Sequence, residues 1–216
     1  MDENVTKIDR LLKLFPLYSE DLGIDLTMPS GRFKWFIAAL LFGARIGEQV
    51  AANTYRCFEA AGIDSHDKII EAGWDRLVEI LDAGGYVRYD FSTATKLLGI
   101  MTALQQNYGS LENLYCQASD GKDLERRLQE FKGIGPTTTQ IFLRELRGVW
   151  QVQPKVTEMA RTSATNLNIA LDQFEGEKLA RVETALVKLY LRHCKKQKCR
   201  LCPMADFCIG AWLTNE

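Results

Sequence analysis

Four cysteines near the end of the chain have the types and spacing for metal chemistry. They read Cys194-x4-Cys199-x2-Cys202-x5-Cys208, which puts four thiols within 15 residues. Loops this short can bring four sulfurs to a common centre, around either one cubane cluster or one zinc ion. Zinc more often takes two separated Cys-x2-Cys knuckles. Here a single knuckle, Cys199 and Cys202, is flanked by lone cysteines, and that spacing favours a [4Fe-4S] cluster. Four unligated thiols would be the alternative, and their density weighs against it.

The charge around these cysteines is one-sided. From Lys188 to Arg200 the basic residues are Lys188, Arg192, Lys195, Lys196, Lys198 and Arg200, with no Asp or Glu between them. Ligation would hold Lys195, Lys196 and Lys198 in a small rigid protrusion able to meet phosphates without the ordering cost of a free tail. A solvated surface that offsets an anionic thiolate–iron site is the competing reading.

A second constellation is Lys132-Gly133-Ile134-Gly135-Pro136, between a short helix at 124–131 and another at 136–146. Two glycines around one buried apolar residue permit a tight helix–loop–helix turn. They also leave N–H groups uncovered at the second helix's N-terminus, where an anionic phosphate is favoured. Pro136 suits that first turn, where its missing N–H does no harm. Alone, a Gly-x-Gly of this kind is a weak signal that fits a plain helical hairpin better.

The elements that must position these groups are helical throughout. Ile8, Leu11, Leu12 and Phe15 keep the i, i+3, i+4, i+7 spacing. Residues 33–42 are apolar on nearly every side, as in a central buried helix. Further helices are expected at 50–61, closed by Gly62, at 65–72 and 75–81 around Gly73, and at 92–108 with Ser92 as cap. More follow at 110–116, 154–166 and 175–193, with a loop over 19–30. No strand alternates convincingly, so the fold class is all-α. The 216 residues are 46% hydrophobic and 25% charged, which excludes wholesale disorder. The 27 basic and 28 acidic side chains give a net charge of −1 and exclude a uniformly basic nucleic-acid glove, though not a local basic patch. The acidic N-terminus lacks a signal-peptide layout, and the uncharged apolar stretch 35–44 is too short to span a bilayer. A cytosolic chain, nucleoid-associated if it binds DNA, is expected.

Taken together, the motifs resemble the endonuclease III branch of the helix-hairpin-helix (HhH-GPD) DNA glycosylase superfamily. Phe131 to Thr138 looks like the family hairpin, Cys194 to Cys208 like its C-terminal cluster loop, and residues 33–41 like its first barrel helix. The resemblance implies a two-lobed fold. A six-helix barrel domain would cover residues 28–146, with the hairpin at about 124–146. An iron–sulfur cluster domain would be assembled from 1–27 plus 147–216, with double-stranded DNA bound in the cleft. It also implies base-excision repair, a [4Fe-4S] cofactor on Cys194, Cys199, Cys202 and Cys208, and a monomer. DNA contacts would come from Gly133, Ile134, Gly135, Thr137, Thr138, Arg45, Arg88, Lys195, Lys196 and Lys198. The loop between the first two cysteines is shorter than usual, four residues instead of six.

Two residues depart from the family's chemistry. Bifunctional members carry a lysine two positions after the hairpin's second glycine, and its amine forms a Schiff base with the sugar C1′. Here that position is Thr137, whose hydroxyl cannot form an imine. Members also carry an aspartate in a Val-Asp-x-His-Val-like stretch that stabilises oxocarbenium charge. The matching stretch is Val152-Gln153-Pro154-Lys155-Val156, with neutral Gln153 in the aspartate's place. Preorganised charge of that kind is commonly worth ~3–4 kcal/mol. Glu145, Glu158 and Lys155 are the nearby groups a relocated chemistry would have to use. The base-reading side differs too. Ala44 and Arg45 follow the first barrel helix where a polar wedge is usual, and Arg45 would fill an extruded nucleotide's gap, pair with phosphate or cap the helix. Tyr86, Arg88 and Tyr89 follow Gly84-Gly85 near the second wedge, to stack on an orphan base or to pack in the core.

The remaining candidates read as structural. Cys57 and Cys116 are expected to be small buried hydrophobes. Trp35, Trp74, Trp150 and Trp212 are expected to fill cores and domain contacts. His66 and His193 are too distant in sequence to suggest a shared metal site, and His193 would neighbour the cluster. Two functions stand at this point. One is a damage- or distortion-recognising DNA-binding protein without lyase activity. The other is an active N-glycosylase that removes a modified base with a non-standard residue set.

Overall fold

The structure, a computed structural model, describes residues 3–209, so Trp212 lies outside the described residues. They form α1 (Glu3–Leu14), α2 (Tyr18–Asp21), α3 (Pro29–Phe42), α4 (Glu48–Ala60), α5 (His66–Ala83), α6 (Asp90–Tyr108), α7 (Leu111–Gln117), α8 (Gly121–Glu130), α9 (Pro136–Glu145), α10 (Glu158–Asn166) and α11 (Gly176–Arg192). No strand occurs among the described residues, only an isolated bridge between Arg147 and Trp150. None of these helices is long and apolar enough to cross a membrane.

The chain divides into two compact units, one of residues 22–143 and one of residues 1–21 with 144–216. In the first, α3 is the buried helix that its apolar run demands. Trp35, Ile37, Ala38, Ala39 and Leu41 are completely buried. The Trp35 indole N–H donates to the Phe142 carbonyl at 3.0 Å, and the Phe36 and Phe142 rings meet edge to face at 5.1 Å. Such a ring pair contributes about 0.5–1.5 kcal/mol beyond its area. Around α3 the helices pack in sequence order, α3 on α4, α4 on α5, α5 on α6 and α6 on α7.

Several boundaries differ from expectation for identifiable reasons. α3 begins at Pro29, because proline's fixed φ suits a first turn. The two short helices around Gly73 form one element, bent at Gly73, whose φ of 70° and ψ of 178° only a glycine adopts cheaply. α6 starts two residues early, at Asp90 behind Tyr89. Ser92 is therefore not its cap, and its hydroxyl donates to the Tyr89 carbonyl instead. Gly62 does follow the end of α4 with φ +72°, in the left-handed stop position. Cys116 is exposed rather than buried, since Leu111 and Leu114 occupy the inner face of α7.

In the other unit α11 packs on α1 and α10 around Leu11, Phe15, Ala164, Val182, Leu186 and Met204. Unexpectedly, this unit buries charge. α2, which falls partly in the expected 19–30 loop, is held by Glu145: its carboxylate accepts from the Tyr18 and Ser19 N–H groups, both at 2.9 Å, and from the Ser19 hydroxyl at 2.8 Å. Lys188 is fully buried over the Tyr18 ring, paired with Asp21 at 2.7 Å and donating to the Pro16 carbonyl. Burial lowers its pKa, against the opposing pull of Asp21. Lys188 thus leaves the basic surface counted from sequence and becomes an internal pin.

Candidate functional site

The hairpin of α8 and α9 is built tightly. Asp120 caps α8 by accepting from the Asp123 N–H at 2.8 Å, and Leu124 and Leu128 take the buried face. Phe131 and Ile134 are buried on either side of the turn, which closes through Ile134 N–H to the Phe131 carbonyl at 2.9 Å. Gly133 sits at φ +101°. A Cβ there would lie 2.7 Å from Cδ of Lys96 and 2.9 Å from its Cγ and Cε, so the glycine lets the Lys96 stem lie across the turn. The Lys96 ammonium has no hydrogen-bond or ion-pair partner among the described residues, and burial lowers its pKa. Sequence reasoning missed Lys96, because nothing local marks a lysine on α6 as a neighbour of a glycine 37 positions later.

The first ladder bond of α9 runs from the Thr139 N–H to the Gly135 carbonyl at 3.0 Å. The N–H groups of Gly135, Thr137 and Thr138 therefore fall outside the ladder, as a phosphate site at a helix start requires. Thr137 is exposed. Thr138 is buried against Gly43, where a Cβ would fall 2.2 Å from its hydroxyl, so it offers only its backbone outward.

Elsewhere in this unit, Arg45 is exposed beyond the end of α3. The Gly43 and Ala44 N–H groups bond back to Ala39 and Leu41, and no Arg45 side-chain bond to the helix carbonyls occurs among the described residues. That removes the capping reading. The turn between α5 and α6 separates its two tyrosines. Tyr86 is core, its hydroxyl accepting from Thr93 at 3.1 Å, whereas Tyr89 is exposed beneath the Arg88 guanidinium at 5.3 Å. Val87, 67% exposed, projects at the tip, and Phe91, 59% exposed, stacks on Trp74 with ring centres 5.2 Å apart. Sequence reasoning passed over Val87 and Phe91, although apolar residues beside Gly84-Gly85 and Arg88 were the available signal. Trp74 is likewise exposed rather than a core filler, while Trp35 and Trp150 are buried as expected.

In the other unit, the 147–157 segment is anchored by a fully buried ion pair between Arg147 and Glu183. Arg147 also donates to the Pro154 carbonyl, and Glu183 accepts from the Thr157 N–H at 2.8 Å. The pair sets the extended path, so α10 begins only after Thr157, its cap, and not at Pro154. Val152 and Pro154 point inward, and Gln153 and Lys155 outward. Glu145 is committed to α2, and Glu158 opens α10, so no carboxylate of the 147–157 segment stands where Gln153 does.

The cysteine segment winds through three 3-10 turns, Cys194–Lys196, Cys199–Leu201 and Ala205–Phe207. The four thiols are free and half-buried, and Cys194, Cys202 and Cys208 pack with Phe207 against the hydrophobic core. Burial pushes the Cys194 and Cys202 thiols up, and the neighbouring cysteines push in the same direction. The Met204 backbone N–H faces Cys202 and pulls the other way. No group of three His, Cys, Asp or Glu side chains among the described residues converges as the ligands of a single ion do. Lys195, Lys196, Lys198 and Arg200 are exposed along this segment. His193 adjoins it, edge-on to Phe15 at 6.4 Å.

No protein-family model and no curated protein matches the chain in sequence. Among solved structures it is similar to the crystal structure of the H. pylori 3-methyladenine DNA glycosylase MagIII bound to 1,N6-ethenoadenine. That likeness covers 88% of this chain and 98% of that one, at 17% identity and a TM-score of 0.53. The chain therefore has the all-α fold of a helix-hairpin-helix DNA glycosylase.

Proposed function

We propose that the chain binds damaged or distorted duplex DNA through its hairpin, as a base-excision-type protein of the endonuclease III branch that has lost lyase chemistry. The observation that carries this reading is the hairpin itself. Gly133 at φ +101° and the unladdered N–H groups at the start of α9 form an anion-seeking corner on a chain with a DNA glycosylase fold. Val87, Arg88 and Tyr89 project from the α5–α6 turn as a wedge and stacking surface, and Arg45 stands exposed as a second probe. Exposed Thr137 replaces the imine-forming amine. The outward Gln153 supplies a dipole where an oxocarbenium ion needs a charge, and the buried Arg147–Glu183 pair holds it there.

The four cysteines suit a [4Fe-4S] cluster. Four free, half-buried thiols lie along one short segment, and a backbone N–H faces one of them, as the sulfurs of a bound cluster require. Cys194, Cys199, Cys202 and Cys208 would hold it, and when bound it would brace the loop that carries Lys195, Lys196 and Lys198.

The test is incubation of the iron-loaded protein with duplexes bearing an abasic site, oxidised pyrimidines, alkylated purines or mismatches. Saturable binding with no base release, no nicking and no borohydride-trapped adduct is expected. Turnover that disappears on substitution of Gln153 would establish an active glycosylase instead.

A further inference from the structure

Beside the hairpin runs a groove of about 640 Å³, lined by Lys96, Gly99, Ala103 and Asn107 of α6 and by Phe131 and Lys132. Its charges are uneven. Arg127 is tied to Asp123 at 2.8 Å and Glu130 to Arg126, whereas Lys96 and Lys132 have no counter-charge among the described residues. A half-buried ammonium without a partner has lost water and gained nothing in return, so an anion placed beside it recovers that loss. The near rim is aromatic. Ser92 and Thr95 line the same groove, and the Trp74 indole N–H donates to the Thr95 hydroxyl at 3.0 Å, which places the exposed Trp74–Phe91 pair at that end.

A small apolar groove with cations along it and an aromatic step at its mouth has the elements that bind a nucleic-acid strand, phosphates on lysine and a base on the ring face. The ring face can take only a base that is not paired. We infer that this groove is a second DNA site, which meets the hairpin turn at Gly133 but is distinct from the N–H groups at the start of α9, and that it takes a short unpaired stretch of strand, a phosphate at Lys96 and a base on Phe91. The inference rests on the DNA-binding reading above and names the form of DNA that lies next to the duplex.

The experiment titrates the full chain with a labelled oligothymidine of roughly a dozen nucleotides, and in parallel with an abasic-site duplex. The variants are Lys96→Gln and Phe91→Ala, each checked for an unchanged unfolding midpoint, and binding is followed by the label's anisotropy and by tryptophan emission, to which the exposed Trp74 contributes. Binding is expected to quench emission. Phe91→Ala should weaken oligothymidine binding roughly fivefold or more, and Lys96→Gln should lower the slope of log affinity against log salt by about 0.7. If the duplex binds but the oligothymidine does not, or both variants hold it as wild type does, the groove assignment is overturned and the hairpin reading stands. If neither nucleic acid binds, both are overturned.

Discussion

Two alanine substitutions in the hairpin separate its architecture from its binding role. At Gly133 the backbone φ is +101°, and a Cβ would meet three carbons of Lys96 at 2.7–2.9 Å. Holding an L-residue in that region costs about 1–3 kcal/mol. The lysine stem is flexible and can swing aside, which adds little more than its lost packing. For a chain of this length, the unfolding midpoint of Gly133→Ala should therefore drop by roughly 2–12 °C. Gly135 is the opposite case. Its φ is not positive, and nothing lies within 4 Å of an added Cβ. Gly135→Ala should fold as well as wild type or gain about 0.4–1 kcal/mol from a stiffer unfolded chain. That open space is where a phosphate must approach the α9 N–H groups. Losing one charge-assisted bond there costs about 1.5–3 kcal/mol, ten- to a hundredfold in Kd. Thermal unfolding and fluorescence anisotropy with an abasic-site duplex, run on the same preparations, read both quantities. A Gly135→Ala protein that is stable and binds as wild type would refute the phosphate corner. A Gly133→Ala protein with an unshifted midpoint would refute the backbone reasoning.

Other consequences follow from buried and paired charge. Glu183→Ala leaves the Arg147 guanidinium buried and unpaired and strips the Thr157 N–H of its acceptor, so denaturant unfolding should show a loss of about 3–5 kcal/mol. Arg147→Met combined with Glu183→Leu should lose much less than the two single changes added together, and additive losses would contradict the pairing. Asp123 is held well below the usual carboxylate range by Arg127, the Ser119 N–H and Arg126. Because its folded pKa is depressed, its contribution is present above the ordinary value of about 3.9 and is lost only as pH falls below it. The stability gap between wild type and Asp123→Asn should thus be open at pH 7 and shrink under acid, and a pH-independent gap would show that the pairing is not electrostatic. Replacing Lys195, Lys196 and Lys198 with alanine should cut the salt slope of duplex binding by up to ~0.9 for each phosphate no longer neutralised, and an unchanged slope would remove the cysteine loop from the interface. Protein purified without air should carry about four irons and four sulfides per chain, and Cys202→Ser should reduce that content; a colourless wild type would exclude the cluster.

The parts visible in the sequence are those with local causes. The apolar run at 33–42, the glycine after α4 and the Gly-x-Gly-Pro corner each announce a backbone state that their own residues require. What was hidden depends on partners far along the chain. α2 exists because Glu145 accepts its N–H groups, Lys188 turns inward because Asp21 and the Pro16 carbonyl are there, and α10 starts late because Glu183 holds Thr157. Ser92 has a cap's composition, but the helix begins before it, behind Tyr89. At the candidate site, Thr137 and Gln153 stood out only against the family motif that the sequence resembles. Lys96 was not legible, since its neighbour is a glycine that carries no chemical signal of its own.

The most direct measurement is the equilibrium binding of iron-loaded protein to an abasic-site duplex and its undamaged counterpart, at several salt concentrations. Saturable binding at low ionic strength, tighter for the damaged duplex and weakening steeply as salt rises, is the predicted result. Absence of saturable binding to either duplex at low ionic strength would contradict the DNA-gripping hairpin outright.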